Sequence, residues 1–324
     1  MDRILVTGAG GFIGSHLAKY LHEQGHYVRA VDVKFDDYLE PPPLDDPRYE
    51  RCKLDLRRSD HCMIATHGID KVFSLAANMG GIGYITMIFA EIMTDSVLIN
   101  ANMLRASVKQ GISRYFFSSS ACVYRVDMQT NTLAVGLKEA DAYPALPNEG
   151  YGWEKLFTEI MAKGYQRDYG LPVRIARFHN IFGRGTYKGG KEKAPAALCR
   201  KIAEAADPGE IIIWGDGSAT RSYCYIDDCV RGIVALMESD YDEPLNIGSD
   251  RLVSVNELAD IIIKISGKRI TKKYDLSAPV GVMGRNADLT LVKQVLGWEP
   301  RVSLEEGLAK TYKWIAEQVE RDKR

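Results

Sequence analysis

The run Gly8-Ala9-Gly10-Gly11-Phe12-Ile13-Gly14 restricts what this chain can become more than any other stretch of it. It follows Arg3–Thr7, which reads as a short apolar strand, and it opens a helical segment from Phe12 to about Glu23 that Gly25 ends. Glycines in a strand–turn–helix context suit a dinucleotide. Gly8 permits the tight turn, Gly11 lets the backbone approach a pyrophosphate, and Gly14 lets helix pack closely on strand. The first N–H groups of the helix are left free to meet the phosphates. Asp32 closes the next predicted strand, Tyr27 to Val33, about 20 residues past the loop. A carboxylate there accepts from both ribose hydroxyls and repels a 2′-phosphate, so the expected cofactor is NAD rather than NADP. Asp55, in Leu54-Asp55-Leu56, is placed to meet the adenine edge.

Strand and helix patterns then keep alternating. Residues 71–76, 115–119 and 173–178 read as strands, and 95–110 and 151–169 as helices. This predicts an α/β fold, a Rossmann-type doubly wound parallel sheet built from right-handed crossovers. After about Asn180, glycine-rich loops separate shorter elements, and amphipathic helices follow at 254–266 and 304–320. These predict a smaller α/β substrate-binding lobe. Residues 1–179 with about 223–240 form the expected cofactor domain, and 180–222 with 241–324 the expected lobe.

A net charge of −1 supplies no broad basic field for nucleic acid or an anionic membrane. No apolar run approaches the roughly 18–20 residues that span a bilayer, so a cytoplasmic enzyme with no nucleic-acid or membrane partner is expected. The six cysteines make no CxxC pair and have no His at ligand spacing, so no metal is expected and the thiols should be reduced.

Two segments carry the chemistry. Tyr151 and Lys155, in Tyr151-Gly152-Trp153-Glu154-Lys155, share one helical face. A Tyr hydroxyl with a pKa near 10 is a poor base, but Lys155 one turn away and a positive nicotinamide ring both favour phenolate. Tyr151 can then take an alcohol proton as the carbon is oxidised. Upstream, Ser118-Ser119-Ser120-Ala121-Cys122-Val123-Tyr124 places a thiol beside that pair. A thiolate is a competent base toward carbon. The ketone made by that oxidation would acidify the C–H bonds of its two neighbouring carbons, and inversion there needs a second group on the opposite face. Lys191 and Lys193, in Lys188-Gly189-Gly190-Lys191-Glu192-Lys193-Ala194-Pro195, both lie in a suitable segment, and spacing does not choose between them.

Taken together, these motifs resemble the extended short-chain dehydrogenase/reductases, NAD-dependent enzymes acting mostly on nucleotide sugars, over essentially the whole chain. Within that family, Ser120-Ala121-Cys122 lacks the carboxylates of the 4,6-dehydratases. Ala76-Ala77-Asn78-Met79-Gly80-Gly81, Arg177-Phe178-His179-Asn180, Trp214-Gly215-Asp216-Gly217, Thr220-Arg221-Ser222 and Gly284-Arg285-Asn286 are similar to the GDP-mannose 3,5-epimerases. The resemblance implies GDP-mannose and related nucleotide sugars as substrates, with Tyr151 and Lys155 as the redox pair, Cys122 as carbon base and Lys193 as opposing acid. It implies cofactor contacts from Gly8, Gly11, Phe12, Ile13, Gly14, Asp32, Asp55, Leu75, Ala76, Ala77 and Phe178. Substrate contacts are implied for Gly80, Ser120, Asn180, Glu192, Ala194, Lys201, Trp214, Arg221 and Arg285, the two arginines on the diphosphate. A homodimer through a four-helix bundle is also implied. A UDP-sugar 4-epimerase and a non-catalytic NAD-binding regulator are the alternatives.

Overall fold

Neighbouring residues of each central strand enter opposite cores, which is what winds helices onto both faces of the sheet. In β1 (Arg3–Thr7), Ile4 and Val6 face one core and Leu5 the other. In β5 (Arg114–Ser120), Phe116 joins the first core while Tyr115 and Phe117 join the second. Strands buried on both faces read as continuous apolar runs, the signature of a parallel sheet. The computed structural model describes residues 1–78, 88–190 and 192–323.

The first core is closed by α1 (Phe12–Glu23) through Leu17 and Leu21, and by α6 (Ile226–Glu238) through Ile226, Ile233 and Leu236. The second is closed by α2 (Ser59–Thr66), α3 (Phe89–Lys109) and α4 (Glu149–Tyr169), which contribute Cys62, Met103, Leu104 and Ala162. Each leucine, isoleucine and methionine among these contributes about 1.5–3 kcal/mol on burial.

The sheet has seven strands in the order β12 (Leu245–Ile247), β7 (Val173–Phe178), β5, β4 (Lys71–Ser74), β1, β2 (Tyr27–Asp32), β3 (Tyr49–Lys53), and all of its pairings are parallel. Strand order reverses between β1 and β4, and open α/β sheets bind ligands at the carboxyl ends around that point. Thr7 pairs with Ser74, and Ser120 with Phe178, so the ends of four strands share one rim.

The second layer holds a four-stranded sheet of β13 (Leu252–Ser254), β10 (Thr220–Ser222), β15 (Gly284–Ala287) and β6 (Gly136–Leu137). Two strand pairs accompany it, β8 (Ile181–Phe182) with β11 (Cys224–Tyr225) and β9 (Gly209–Trp214) with β14 (Ile270–Asp275). Helices α5 (Ala194–Glu204), α7 (Val255–Ser266), α8 (Thr290–Leu296) and α9 (Leu304–Asp322) complete it. Ser254 and Ser303 cap α7 and α9, their Oγ atoms accepting from Glu257 N and Glu306 N at 3.0 and 3.2 Å. The layers exchange strands. Leu245–Ile247, expected in the lobe, is an edge of the large sheet, and Gly136–Leu137, expected in the cofactor domain, pairs with β15. Strands this short carry no readable periodicity.

Candidate active site

The glycine loop is gripped from the side by the end of β4. Gly8 has φ +69°, and a β-carbon on it would stand 2.9 Å from the backbone of Leu75 and Ala76. A β-carbon on Gly14 would stand 2.1 Å from the Gly8 carbonyl oxygen. No side chain fits at either place, and the cradle left open at the N-terminus of α1 suits a pyrophosphate. Thr7 Oγ1 accepts from Leu75 N and Ala76 N, each at 3.1 Å, which sets Leu75–Ala77 beside the loop. Asp32 accepts from Gly10 N (3.0 Å), Val33 N (2.7 Å) and Lys34 N (3.3 Å). Burial raises its pKa and these N–H groups oppose the rise. Phe12 and Ile13 begin α1, and Phe178 ends β7 on the same rim. Asp55 follows β3 with its carboxylate held by Arg57 at 2.7 Å. The residues present fit NAD.

Cys122 sits in a 3₁₀ turn, Ala121–Val123, directly after β5. Ser120 Oγ accepts from Cys122 N at 3.2 Å, and Arg285 Nη1 donates to Cys122 Sγ at 3.4 Å. Burial pushes the thiol up, but the Arg285 guanidinium, the Ser120 hydroxyl and Lys193 outweigh it and hold Cys122 below its ordinary value. Arg285, expected on the diphosphate, thus ends against the thiol.

Tyr151 and Cys122 share a buried cluster with Ile92. Burial raises the Tyr151 phenol strongly, Cys122 and Glu154 add to the rise, and Ser120 opposes it. Lys155 Nζ lies 5.6 Å from the Tyr151 ring centroid and 4.8 Å from that of Phe117. Burial lowers the Lys155 pKa against Glu154, Glu159 and Cys122. Sequence reasoning missed Glu154. It is fully buried, with Oε1 accepting from Asn100 (2.8 Å) and Thr158 (2.9 Å) and Oε2 4.0 Å from Lys155 Nζ. It also missed the buried ion pair of Arg177 with Glu159 (2.7 Å), which holds Ser119 in β5. No local signal marked either, because this helix carries polar residues on its buried face as well as its exposed one.

Lys193 is the N-cap of α5, with Glu192 and Ala194 on either side, and it lies near enough to Cys122 and Arg285 for their charges to act on it. The protein around it lowers its ammonium pKa, as does Arg285, while Cys122 and Cys229 oppose. Glu192 Oε1 accepts from Arg200 at 3.0 Å, and its buried Oε2 has no hydrogen-bond partner among the described residues. Lys201 donates to Ile212 O at 2.7 Å and stands 5.8 Å from the ring centroid of Trp214, which is half exposed. Arg221 donates to Thr220 O (2.7 Å) and Val282 O (2.5 Å). Burial and Arg285 bring its pKa down to about 10. Asn180, at φ +43°, donates to Ser222 O at 2.9 Å. Gly80 and Lys191 lie outside the described residues, so the choice between Lys191 and Lys193 is not decided by placement.

Residues 4–248 match the family described as NAD dependent epimerase/dehydratase. The chain belongs to that family. This NAD dependent epimerase/dehydratase family member is 47% identical over 322 residues to GDP-mannose 3,5-epimerase of Arabidopsis thaliana, covering 99% of this chain and 84% of that protein. It is 48% identical to GDP-mannose 3,5-epimerase 1 of japonica rice, again over 322 residues, with 99% and 83% covered. Among solved structures, UDP-glucose 4-epimerase from Thermotoga maritima superposes with a TM-score of 0.85 at 28% identity, covering 98% and 99% of the two chains. UDP-glucuronic acid 4-epimerase from Bacillus cereus, solved with UDP-glucuronic acid and NAD, gives 0.82 at 28%, with the same coverage. After Ser120, this family member's site offers Ala121 and Cys122, with no carboxylate at either position.

Proposed function

We propose that the chain is an NAD-dependent epimerase that inverts C3 and C5 of GDP-mannose through a transient 4-ketone. Its products would be GDP-L-galactose and, from inversion at C5 alone, GDP-L-gulose. The observation that carries the reading is the Cys122 thiol, held by Arg285 at 3.4 Å in the same buried cluster as Tyr151. The plant relatives, at 47–48% identity, bear the corresponding name.

The Gly8–Gly14 loop and the N-terminus of α1 would hold the pyrophosphate of NAD, Asp32 its ribose, and Leu75–Ala77 and Phe178 its flank. NAD, when bound, supplies the oxidation of C4 and its reversal. Tyr151 accepts the C4 hydroxyl proton and later returns it; burial and Cys122 disfavour its phenolate, and the Ser120 hydroxyl, the Lys155 ammonium and the positive nicotinamide would offset them. The 4-ketone acidifies its two neighbours. Cys122 takes a proton from carbon on one face and Lys193 delivers one on the other. Both groups are held below their ordinary values, toward the neutral range in which general acid–base transfer is most effective. Arg221, Lys201 and Trp214 are the candidates for the nucleotide end, and Asn180 and Glu192 for the sugar.

Incubation with GDP-mannose in deuterated buffer tests this. Two deuterium atoms on carbon, at C3 and C5, are expected. A UDP-sugar 4-epimerase, the reading that the structural neighbours favour, would turn over its own substrate with no deuterium on carbon. A non-catalytic NAD-binding chain would show neither.

A second copy of the chain is proposed to cover the outer face of α3 and α4, where Phe89, Leu98, Trp153, Phe157 and Ile160 are all exposed. A contiguous apolar face of this kind marks an interface.

A further inference from the structure

We propose that Gln129 is a positioning residue that turns Arg285 onto the Cys122 sulfur, so that the thiol begins each turnover as the thiolate. The inference rests on the reading of Cys122 as the base toward carbon.

Gln129 closes a 3₁₀ turn, Val126–Gln129, and is 2% exposed. Both ends of its amide are committed. Nε2 donates to Tyr124 O (3.2 Å) and Arg125 O (2.9 Å), which fixes the flip and leaves Oε1 to accept from Arg285 Nε at 2.5 Å. The Gln129 carbonyl accepts from Met283 N at 2.9 Å, so the approach of the strand bearing Arg285 is set by the same residue. With Nε fixed, the planar guanidinium has one orientation, and in it Nη1 meets Cys122 Sγ.

Charge completes the argument. Arg285 is buried, its Nη2 has no partner, and no carboxylate pairs with it among the described residues. A buried guanidinium of this kind is costly until an anion meets it. The thiolate is the anion within reach. Among the described residues, the other titratable or charged groups acting on Cys122 are Tyr151 and Lys155 from α4, Lys193 from the N-cap of α5 and Arg221 from β10, and none is a carboxylate. Burial weakens the ammonium form of both lysines, whereas a guanidinium stays charged. A neutral amide at 129 is therefore the apt tether, because it orients Arg285 without cancelling its charge.

The test is the pH dependence of Cys122 alkylation by iodoacetamide, read on the Cys122 peptide by mass spectrometry in the NAD-bound protein without sugar. The wild-type midpoint is expected below the ordinary thiol value of about 8.5. Gln129→Met, which loses the tether, and Gln129→Glu, which keeps it but neutralises Arg285, should each raise the midpoint by about one unit or more, roughly tenfold less thiolate below it. Carbon–deuterium exchange in Gln129→Glu should recover as pH rises through the new midpoint, a rescue that a merely structural role would not give. NAD occupancy should match wild type in both. Wild-type midpoints in both Gln129 variants would overturn the proposal, even if Arg285→Gln shifts the midpoint, since Arg285 would then hold itself in place. Because alkylation needs no sugar, it decides this claim independently. A wild-type protein that exchanges no deuterium would instead sink the epimerase reading.

Discussion

The carbonyl oxygen of Cys122 stands 2.2 Å from where a β-carbon on Gly152 would be, so α4 and the thiol turn meet backbone to backbone. Asn148 N donates to the same oxygen at 2.9 Å. This contact sets Tyr151 relative to the thiol, and only glycine permits it. Gly152→Ala is expected to lower turnover by about 10²-fold, the usual cost of a displacement near 1 Å, with NAD still bound. Steady-state rates beside NAD content check it; wild-type turnover would mean that the contact does not set the geometry.

Removing the thiol separates the two half-reactions. Cys122→Ala should lose about 10²–10⁴-fold in carbon exchange, and Cys122→Ser should fail similarly because a hydroxyl ionises far less readily. Oxidation at C4 should survive in both, seen as a nicotinamide absorbance change on adding sugar. Since the folded thiol is held low, wild-type exchange should rise as pH climbs through a midpoint below the ordinary thiol value, and fall again at alkaline pH as the Lys193 ammonium, itself held low, gives up its proton. An Ala variant labelling at the wild-type rate would remove Cys122 from the reaction.

Asp32 is the residue proposed to decide between cofactors. Hydrogen bonds to a charged group contribute about 1.5–3 kcal/mol, so Asp32→Asn should weaken NAD by roughly tenfold or more. The same change removes the repulsion of a 2′-phosphate and should strengthen NADP. Calorimetric titration of both cofactors checks it, and an unchanged NAD affinity would contradict the ribose assignment.

His179 should make the fold acid-sensitive. Burial brings its pKa down to about 3, with Arg285 and Arg177 helping and Asn246 opposing. The unfolded chain takes up this proton below about 6.5 while the folded chain stays neutral. Stability is therefore complete above that pH and declines as pH falls from 6.5 toward 3, by about 1.4 kcal/mol per unit from this residue. Urea unfolding at several pH values, beside His179→Asn, should show a shallower slope in the variant. Equal slopes would mean that His179 is protonated in the fold.

Phe157, half exposed on α4, is the proposed centre of the self-association face. Phe157→Arg should give a monomer by light scattering where the wild type is a dimer. A monomeric wild type would remove the interface.

The central fold was legible because its signals are short-range. The glycine loop, the apolar strands and the Tyr151–Lys155 spacing each lie within a few residues, and the parallel sheet follows from their alternation. What escaped was contact between distant segments. Arg285 reaches Cys122 across 163 positions and Gln129 across 156, and no local pattern announces either. Glu154 looks like an ordinary surface residue of a helix until Asn100 on the neighbouring helix closes over it. The two- and three-residue strands at 136 and 245 gain their identity only from the partners beside them.

Asn246 lies in one of those strands. It receives a hydrogen bond from Tyr124 at 2.6 Å, and its own amide donates to Leu137 O and Asp288 O. One side chain thus stitches together the turn that bears the thiol and the strands that bring Arg285 to it. No single cut along the polypeptide frees the half that would grip the nicotinamide from the half that would grip the hexose. Anyone grafting a new sugar preference onto this scaffold must transplant several separated stretches together, with residue 246 as the knot between them.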